Sequence, residues 1–136
     1  MTIRPATPGD AADLGRIQGE CPEAAQWPVQ DYLKHLVLVA EDGQSVRGFV
    51  VFYQMTGTEF ELITLAVEKV SRRLGVGRRM LESGLQKWQG RHFLEVRESN
   101  QQAIKLYESL GFMEIGRRPG YYRDPEESAI VMQRQQ

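Results

Sequence analysis

Cysteine occurs once in these 136 residues, at Cys21, and histidine twice, at His35 and His92. One thiol excludes an intramolecular disulfide and a cysteine-built zinc site. Two histidines this far apart lack metal-ligand spacing, so no metal is expected. Cys21 is expected as a small buried hydrophobe, and each histidine in a satisfied core or surface role. Charge of one sign is missing too: 17 Lys and Arg face 18 Asp and Glu, a net charge of −1. Without a global positive field, direct binding to nucleic acid is not expected. No apolar run is long enough to span a bilayer, and Met1 is followed by Thr2-Ile3-Arg4-Pro5 rather than an apolar signal core. These absences set the expectation of a cytoplasmic location with no membrane partner.

What is present is ordinary globular material, 41% hydrophobic and 26% charged, with no low-complexity block or internal repeat. At roughly 100–200 residues per domain, the length predicts a single domain over 1–136. A chain of this size folds from about 22,500 Å² of surface to about 7,200 Å², so a core forms without staples. Thr7-Pro8-Gly9-Asp10 reads as a helix opening, with a hydroxyl cap, proline at the first position and a carboxylate in the first turn; the helix runs to about Cys21. A turn-like stretch with Trp27 follows, then a short second helix over 29–36. Three β-branched and aromatic runs over 37–40, 46–55 and 60–67 are parted by the turns Glu41-Asp42-Gly43 and Thr56-Gly57-Thr58, and predict an antiparallel meander.

Beyond the meander, Val76, Met80, Leu81, Leu85 and Trp88 recur at helical spacing, and Gly90 ends that helix. A strand over 92–96 sets Phe93, Glu95 and Arg97 on one face and Leu94 and Val96 on the other. Ser99 with Gln102 reads as a capping box for a helix over 100–110, stopped by Gly111. Strands over 112–117 and 129–133 close the chain, with a polar connection over 118–128 that holds Tyr121 and Tyr122. The fold class is therefore α/β: a mixed, mostly antiparallel sheet of about six to seven strands flanked by about four helices.

The most informative segment is Arg72-Arg73-Leu74-Gly75-Val76-Gly77-Arg78-Arg79, between a strand and an amphipathic helix. Two glycines let backbone approach an anion, and the helix start offers it free N–H groups and partial positive charge, so a pyrophosphate is the natural ligand. A Walker A loop would need Lys-Ser/Thr where Arg78-Arg79 stands, and the dinucleotide fingerprint a third small residue where Met80 stands. The alternative is a plain glycine-bearing turn with solvated arginines.

Arg72-x-x-Gly75-x-Gly77 after a strand resembles the acetyl-CoA pyrophosphate motif of the GNAT N-acetyltransferases, and the element order resembles their fold. The resemblance is most specific over 61–122. There Leu94-Glu95-Val96-Arg97-Glu98-Ser99-Asn100, then Leu106-Tyr107-Glu108-Ser109-Leu110-Gly111-Phe112, is similar to the RimI branch, which acetylates the N-terminal alanine of a small-subunit ribosomal protein. It implies a single-domain GNAT-like enzyme that moves the acetyl group of acetyl-CoA directly to an amine. By that resemblance Glu95 is the general base, Tyr107 the general acid, and Asn100 lies near the coenzyme arm. Coenzyme contacts fall to Leu65, Ala66 and Val67 through backbone, and to Arg72, Arg73, Leu74, Gly75, Val76, Gly77 and Arg78. Trp27, Tyr121 and Tyr122 line the acceptor side, and Glu61 is an alternative base or a contact for the acceptor's amino group. The chain departs from the family at Thr64 and Glu68-Lys69, where asparagine and proline are usual, and at Gln26-Trp27-Pro28.

The chemistry suits these residue types. The attacking amine must be neutral, so a carboxylate has to take its proton, and a phenol remains protonated at neutral pH to serve the departing thiolate. Free α-amines titrate near 7.7–8.0 against about 10.4 for lysine, a difference of about 3.5 kcal/mol in deprotonation, which favours a protein N-terminus as acceptor. A small-molecule amine is the alternative acceptor, and a catalytically silent acyl-CoA-binding module the alternative role. Competing structural roles are an ion pair of Glu95 with Arg97 along one strand face, a core-edge position for Tyr107, and solvated Arg117 and Arg118. A monomer or weak dimer is expected.

Overall fold

The computed structural model describes residues 1–135. Runs of Val, Leu and Phe between tight turns build the first half of the sheet: β1 (Thr2–Pro5), β2 (Leu36–Asp42), β3 (Ser45–Gln54) and β4 (Glu59–Val67) pair antiparallel in succession. β4 then meets β5 (Arg91–Arg97) in parallel, while β6 (Met113–Tyr122) and β7 (Glu127–Arg134) complete a seven-stranded sheet in the order β1-β2-β3-β4-β5-β7-β6. Helices α1 (Ala11–Gly19) and α2 (Val29–Tyr32) cover one face, and α3 (Val76–Lys87) and α4 (Gln101–Ser109) the other. The mixed α/β architecture and its meander are those expected from the sequence. No helix among the described residues is long and apolar enough to cross a membrane.

Two cores result. Leu14, Ile17, Tyr32 and Phe49 fill one beneath α1 and α2; Phe52, Met80, Leu81, Leu94 and Tyr107 belong to the other, beneath α3 and α4. α3 lies so close to β3 that a Cβ on Gly84 would come 2.4 Å from the Phe52 ring, so only glycine fits there. His92 is fully buried in this region, with Nε2 2.6 Å from the Trp88 carbonyl.

Two irregularities in β4 position the site. Register passes from Phe52↔Leu62 to Val51↔Thr64, so Ile63 is an extra, bulged residue. The bulge resets the side-chain alternation: Leu62, Leu65 and Val67 serve the α3–α4 core, while Ile63 and Ala66 serve the α1–α2 core. The parallel pairing of β4 with β5 covers only Glu59↔Arg91, Phe60↔His92 and Glu61↔Phe93. From there on the two strands are unpaired, and the sheet opens between them.

Three local expectations change. Asn100, not Ser99, caps α4, its carboxamide oxygen accepting the Ala103 N–H at 3.3 Å. Ser99 instead donates its N–H and its hydroxyl to the Glu127 carboxylate at 2.9 and 3.0 Å, because β7 brings a charged acceptor within reach. The second helix is one turn, Val29–Tyr32, since β2 already claims Leu36. β6 continues to Tyr122, so the polar connection shrinks to 123–126. Ladder pairing with β7 holds Tyr122 opposite Glu127.

Candidate active site

Where β4 and β5 part, a cleft of about 680 Å³ passes between them. Its walls are the end of β4, the N-terminus of α3, the end of β5, α4, and the segment 21–26. At the α3 end, Gly75 adopts φ +79, which a side-chain-bearing residue enters only with strain. The helical ladder begins with Arg79 N–H donating to the Gly75 carbonyl at 3.0 Å, leaving the N–H groups of Val76, Gly77 and Arg78 without partners inside the helix. A Cβ on Gly77 would lie 3.6 Å from Leu65 and 3.7 Å from Val67, so this turn faces the free end of β4. Helix N-terminus, bare glycines and an unpaired strand edge together fit a long ligand with an anionic middle. Thr64 adds a buried hydroxyl that has no hydrogen-bond partner among the described residues, in the same cleft.

The turn is anchored by Glu68, to which the sequence assigned no role. Glu68 is buried and accepts from Arg16 at 2.8 Å, Arg47 at 2.8 Å and Ser71 at 2.7 Å. Burial works to raise its pKa, but these donors outweigh burial and bring it down to about 2. The ion cluster holds this place rigid. Arg72 is tied as well: Nε donates to the Val67 carbonyl at 3.0 Å, and Nη2 to the Glu20 carbonyl at 2.8 Å and Cys21 Sγ at 3.1 Å. Its guanidinium braces the 21–26 segment against β4 rather than standing free. Arg78 donates to Ser109 Oγ, whereas Arg73, in the left-handed region at φ 66, lines the cleft with no ion pair or hydrogen bond among the described residues. Leu74 is 72% exposed and off the cleft, and the Ala66 side chain is buried in the other core, so only its backbone is available.

Glu95, Asn100 and Tyr107 all line the cleft. Tyr107 packs edge-on against Phe112 with centroids 5.8 Å apart, and its hydroxyl has no protein hydrogen bond among the described residues. Burial, with a smaller push from Tyr122, raises its pKa and keeps it protonated. Asn100 spends its carboxamide oxygen on the helix cap.

The competing pairing of Glu95 with Arg97 does not occur. Arg97 turns instead to Glu127 at 3.1 Å and lies 4.4 Å from the Tyr122 ring centroid. Glu95 Oε2 meets Arg118 Nε at 2.6 Å, a contact that joins β5 to β6. Arg117 is paired with Glu98 and Glu114, so neither of these arginines is merely solvated. Glu61, on the same sheet face, is half-buried; burial first and then the charge of Glu95 raise its pKa, with Arg118 opposing. Tyr122 lines the cleft, and burial followed by Glu95 pushes its pKa up to about 12. Tyr121 is outside the lining but close enough that Glu95 raises its hydroxyl pKa. Trp27 is not brought to this cleft: it stacks on Tyr32 at 5.7 Å and borders a separate shallow hollow with His35.

Residues 11–112 match the model of the Acetyltransferase (GNAT) family. The chain belongs to that family. Over 98% of its length this GNAT chain is 34% identical to the N-alpha-acetyltransferase RimI of Mycobacterium tuberculosis, covering 92% of that protein. It is 45% identical to an uncharacterised protein of Mycobacterium leprae over 99% of this chain, of which it spans 41%. Among solved structures, the ribosomal-protein-S18-alanine N-acetyltransferase of Escherichia coli superposes with a TM-score of 0.83 at 28% identity, covering 98% of this chain and 92% of that one.

Within the GNAT chain, sequence reasoning missed Glu68, Arg118 and the wall formed by Cys21 to Gln26. Glu68 carried a signal, since it belongs to the charged pair Glu68-Lys69 at which the chain departs from the family pattern. Arg118 carried none, because its meeting with Glu95 depends on the register of three strands.

Proposed function

We propose that this GNAT domain transfers the acetyl group of acetyl-CoA directly to the N-terminal α-amine of a protein, with alanine of a small-subunit ribosomal protein as the type acceptor. The observation that carries the reading is that Glu95 and Tyr107 line one cleft with the bare N-terminus of α3. Acetyl-CoA, once bound, supplies an acetyl thioester. The N–H groups of Val76, Gly77 and Arg78 would hold its pyrophosphate, with Arg73, unpaired among the described residues, as a cation nearby. Backbone at Leu65, Ala66 and Val67, left unpaired where β4 leaves β5, aligns the acyl arm. Glu95 takes the proton from the acceptor ammonium, directly or through water, and the Tyr107 hydroxyl gives its proton to the departing sulfur. The similarity to proteins named for N-alpha acetylation supports a protein N-terminus over a small amine.

The test is incubation with acetyl-CoA and a panel of N-terminal peptides, lysine peptides and polyamines, read by mass. A 42 Da gain confined to α-amines is the expected result, with 42 being about the mass of an acetyl group less one proton. Modification of polyamines alone would move the acceptor to small molecules, and coenzyme binding without any product would leave a silent binding module.

A further inference from the structure

Arginines around the cleft are mostly built into the fold. Arg97 is held by Glu127 and by the carbonyls of Pro125 and Arg123 at 3.2 and 3.1 Å, and Arg72 by two carbonyls and a sulfur. Arg118 differs. Its side chain is 60% exposed, and its one polar partner among the described residues is Glu95. The contact is close but is not aligned as a hydrogen bond, and the Tyr121 ring lies 5.5 Å from the guanidinium carbon. The backbone under it is irregular: register runs from Arg118↔Ala129 to Tyr122↔Glu127, four steps on β6 against two on β7, with Gly120 at φ +61. Arg118 is thus the last paired residue before a bulge at the sheet edge, where an exposed side chain has room to swing.

Glu95 is the opposite case, 19% exposed, with Oε2 shut off from solvent beside the guanidinium. An acceptor ammonium bound for Glu95 carries the same charge as Arg118 and must take its place. Exchange of one exposed cation for another costs little, since a surface ion pair contributes little in water. The displaced guanidinium does not leave the site. It remains tethered at the mouth, beside whatever follows the amine, with planar donors that match a carboxylate.

We infer that Arg118 is a specificity-determining residue of the acceptor site. It occupies Glu95 in the free protein, yields that carboxylate to the acceptor's amine, and then pairs with an anionic group next to that amine. Acceptors with an acidic residue beside the reacting N-terminus are therefore favoured. The inference rests on Glu95 being the group the amine approaches.

The experiment compares three peptides identical except for Glu, Gln or Lys as second residue, acetylated by the protein and by Arg118→Met and Arg118→Lys, with acetyl-CoA affinity measured calorimetrically for each. The expected result is a preference for Glu over Gln of about threefold to fivefold in kcat/KM, expressed in KM and weakened by salt. Arg118→Met should erase it and Arg118→Lys retain part, with coenzyme affinity unchanged in both. Equal use of Glu and Gln, a preference for Lys, or a Glu preference that survives Arg118→Met would each overturn the role of Arg118 alone. No turnover of any peptide by protein that still binds acetyl-CoA would overturn this role and the proposed function together.

Discussion

At the α3 end of the cleft most of the groups on offer are main-chain: N–H donors of Val76, Gly77 and Arg78, and the unpaired edge of β4. Of the side chains there, Glu68 is buried and Arg72 is tied to carbonyls, so both hold the turn in place, while Arg73 adds one cation to the cleft wall. At the Glu95 end the arrangement is reversed. Carboxylates from β4 and β5 lie near an arginine and two tyrosines from β6, and the groups on offer are side chains. A backbone site tolerates changes in neighbouring side chains as long as the turn survives, which suits an invariant coenzyme. A side-chain site changes its preference with single substitutions, which suits a variable acceptor.

The largest expected effect tests whether the chemistry sits between the two ends. Tyr107→Phe keeps the packing against Phe112 and deletes the hydroxyl; kcat should fall about 10²–10⁴-fold with coenzyme affinity unchanged. A kcat within threefold of the starting value, under conditions where chemistry limits, would assign thiolate protonation to water. Next in size, Glu95→Gln should cost at least about 10²-fold in kcat/KM and abolish the acidic limb of the rate–pH profile, the limb on which a base loses activity by protonation. Glu61→Gln is the paired experiment. Removing this neighbouring negative charge should cost less than about fivefold, well below the loss of a positioned base. A large loss at Glu61 with a small one at Glu95 would exchange their roles.

A further effect, smaller than the loss at Glu95, isolates the backbone end. A Cβ on Gly77 meets Leu65 and Val67 at ordinary contact distance, so Gly77→Val is accommodated in the fold, but its methyls intrude on the anion's approach. Acetyl-CoA affinity should fall about tenfold, or about 1.4 kcal/mol, by calorimetry. Unchanged affinity would move the pyrophosphate away from this turn.

The same contrast explains what could be read from the chain. The glycine–arginine turn, the strand carrying Glu95 and the helix carrying Tyr107 are contiguous segments, so spacing alone reveals their geometry. Six of the seven strands follow from alternation and turn residues, and β1 joins the edge of the meander beside β2. Partners across strands are different. Arg97 and Arg118 are equally plausible for Glu95 by charge, and local spacing favours the wrong one, because the β6–β7–β5 register that delivers Arg118 leaves no mark in composition. The cap of α4 failed for a related reason: Glu127, distant in sequence, takes the serine that looked like the local cap.

The short β4–β5 pairing has a consequence for how the chain is made. The four strands β1 to β4 find their partners among themselves, and β5, β6 and β7 do likewise. The halves are stitched by the three register pairs from Glu59 to Glu61. An N-terminal half emerging first during synthesis can therefore settle its hydrogen bonds before the rest arrives. Until β5 docks, β4 is an open edge of the kind that recruits other chains, and beyond Glu61 it stays open inside the finished protein. There the walls of α3, α4 and residues 21–26 shield it from neighbours, so an arrangement that would invite aggregation at a surface becomes, at the centre of the molecule, a slot reserved for a ligand.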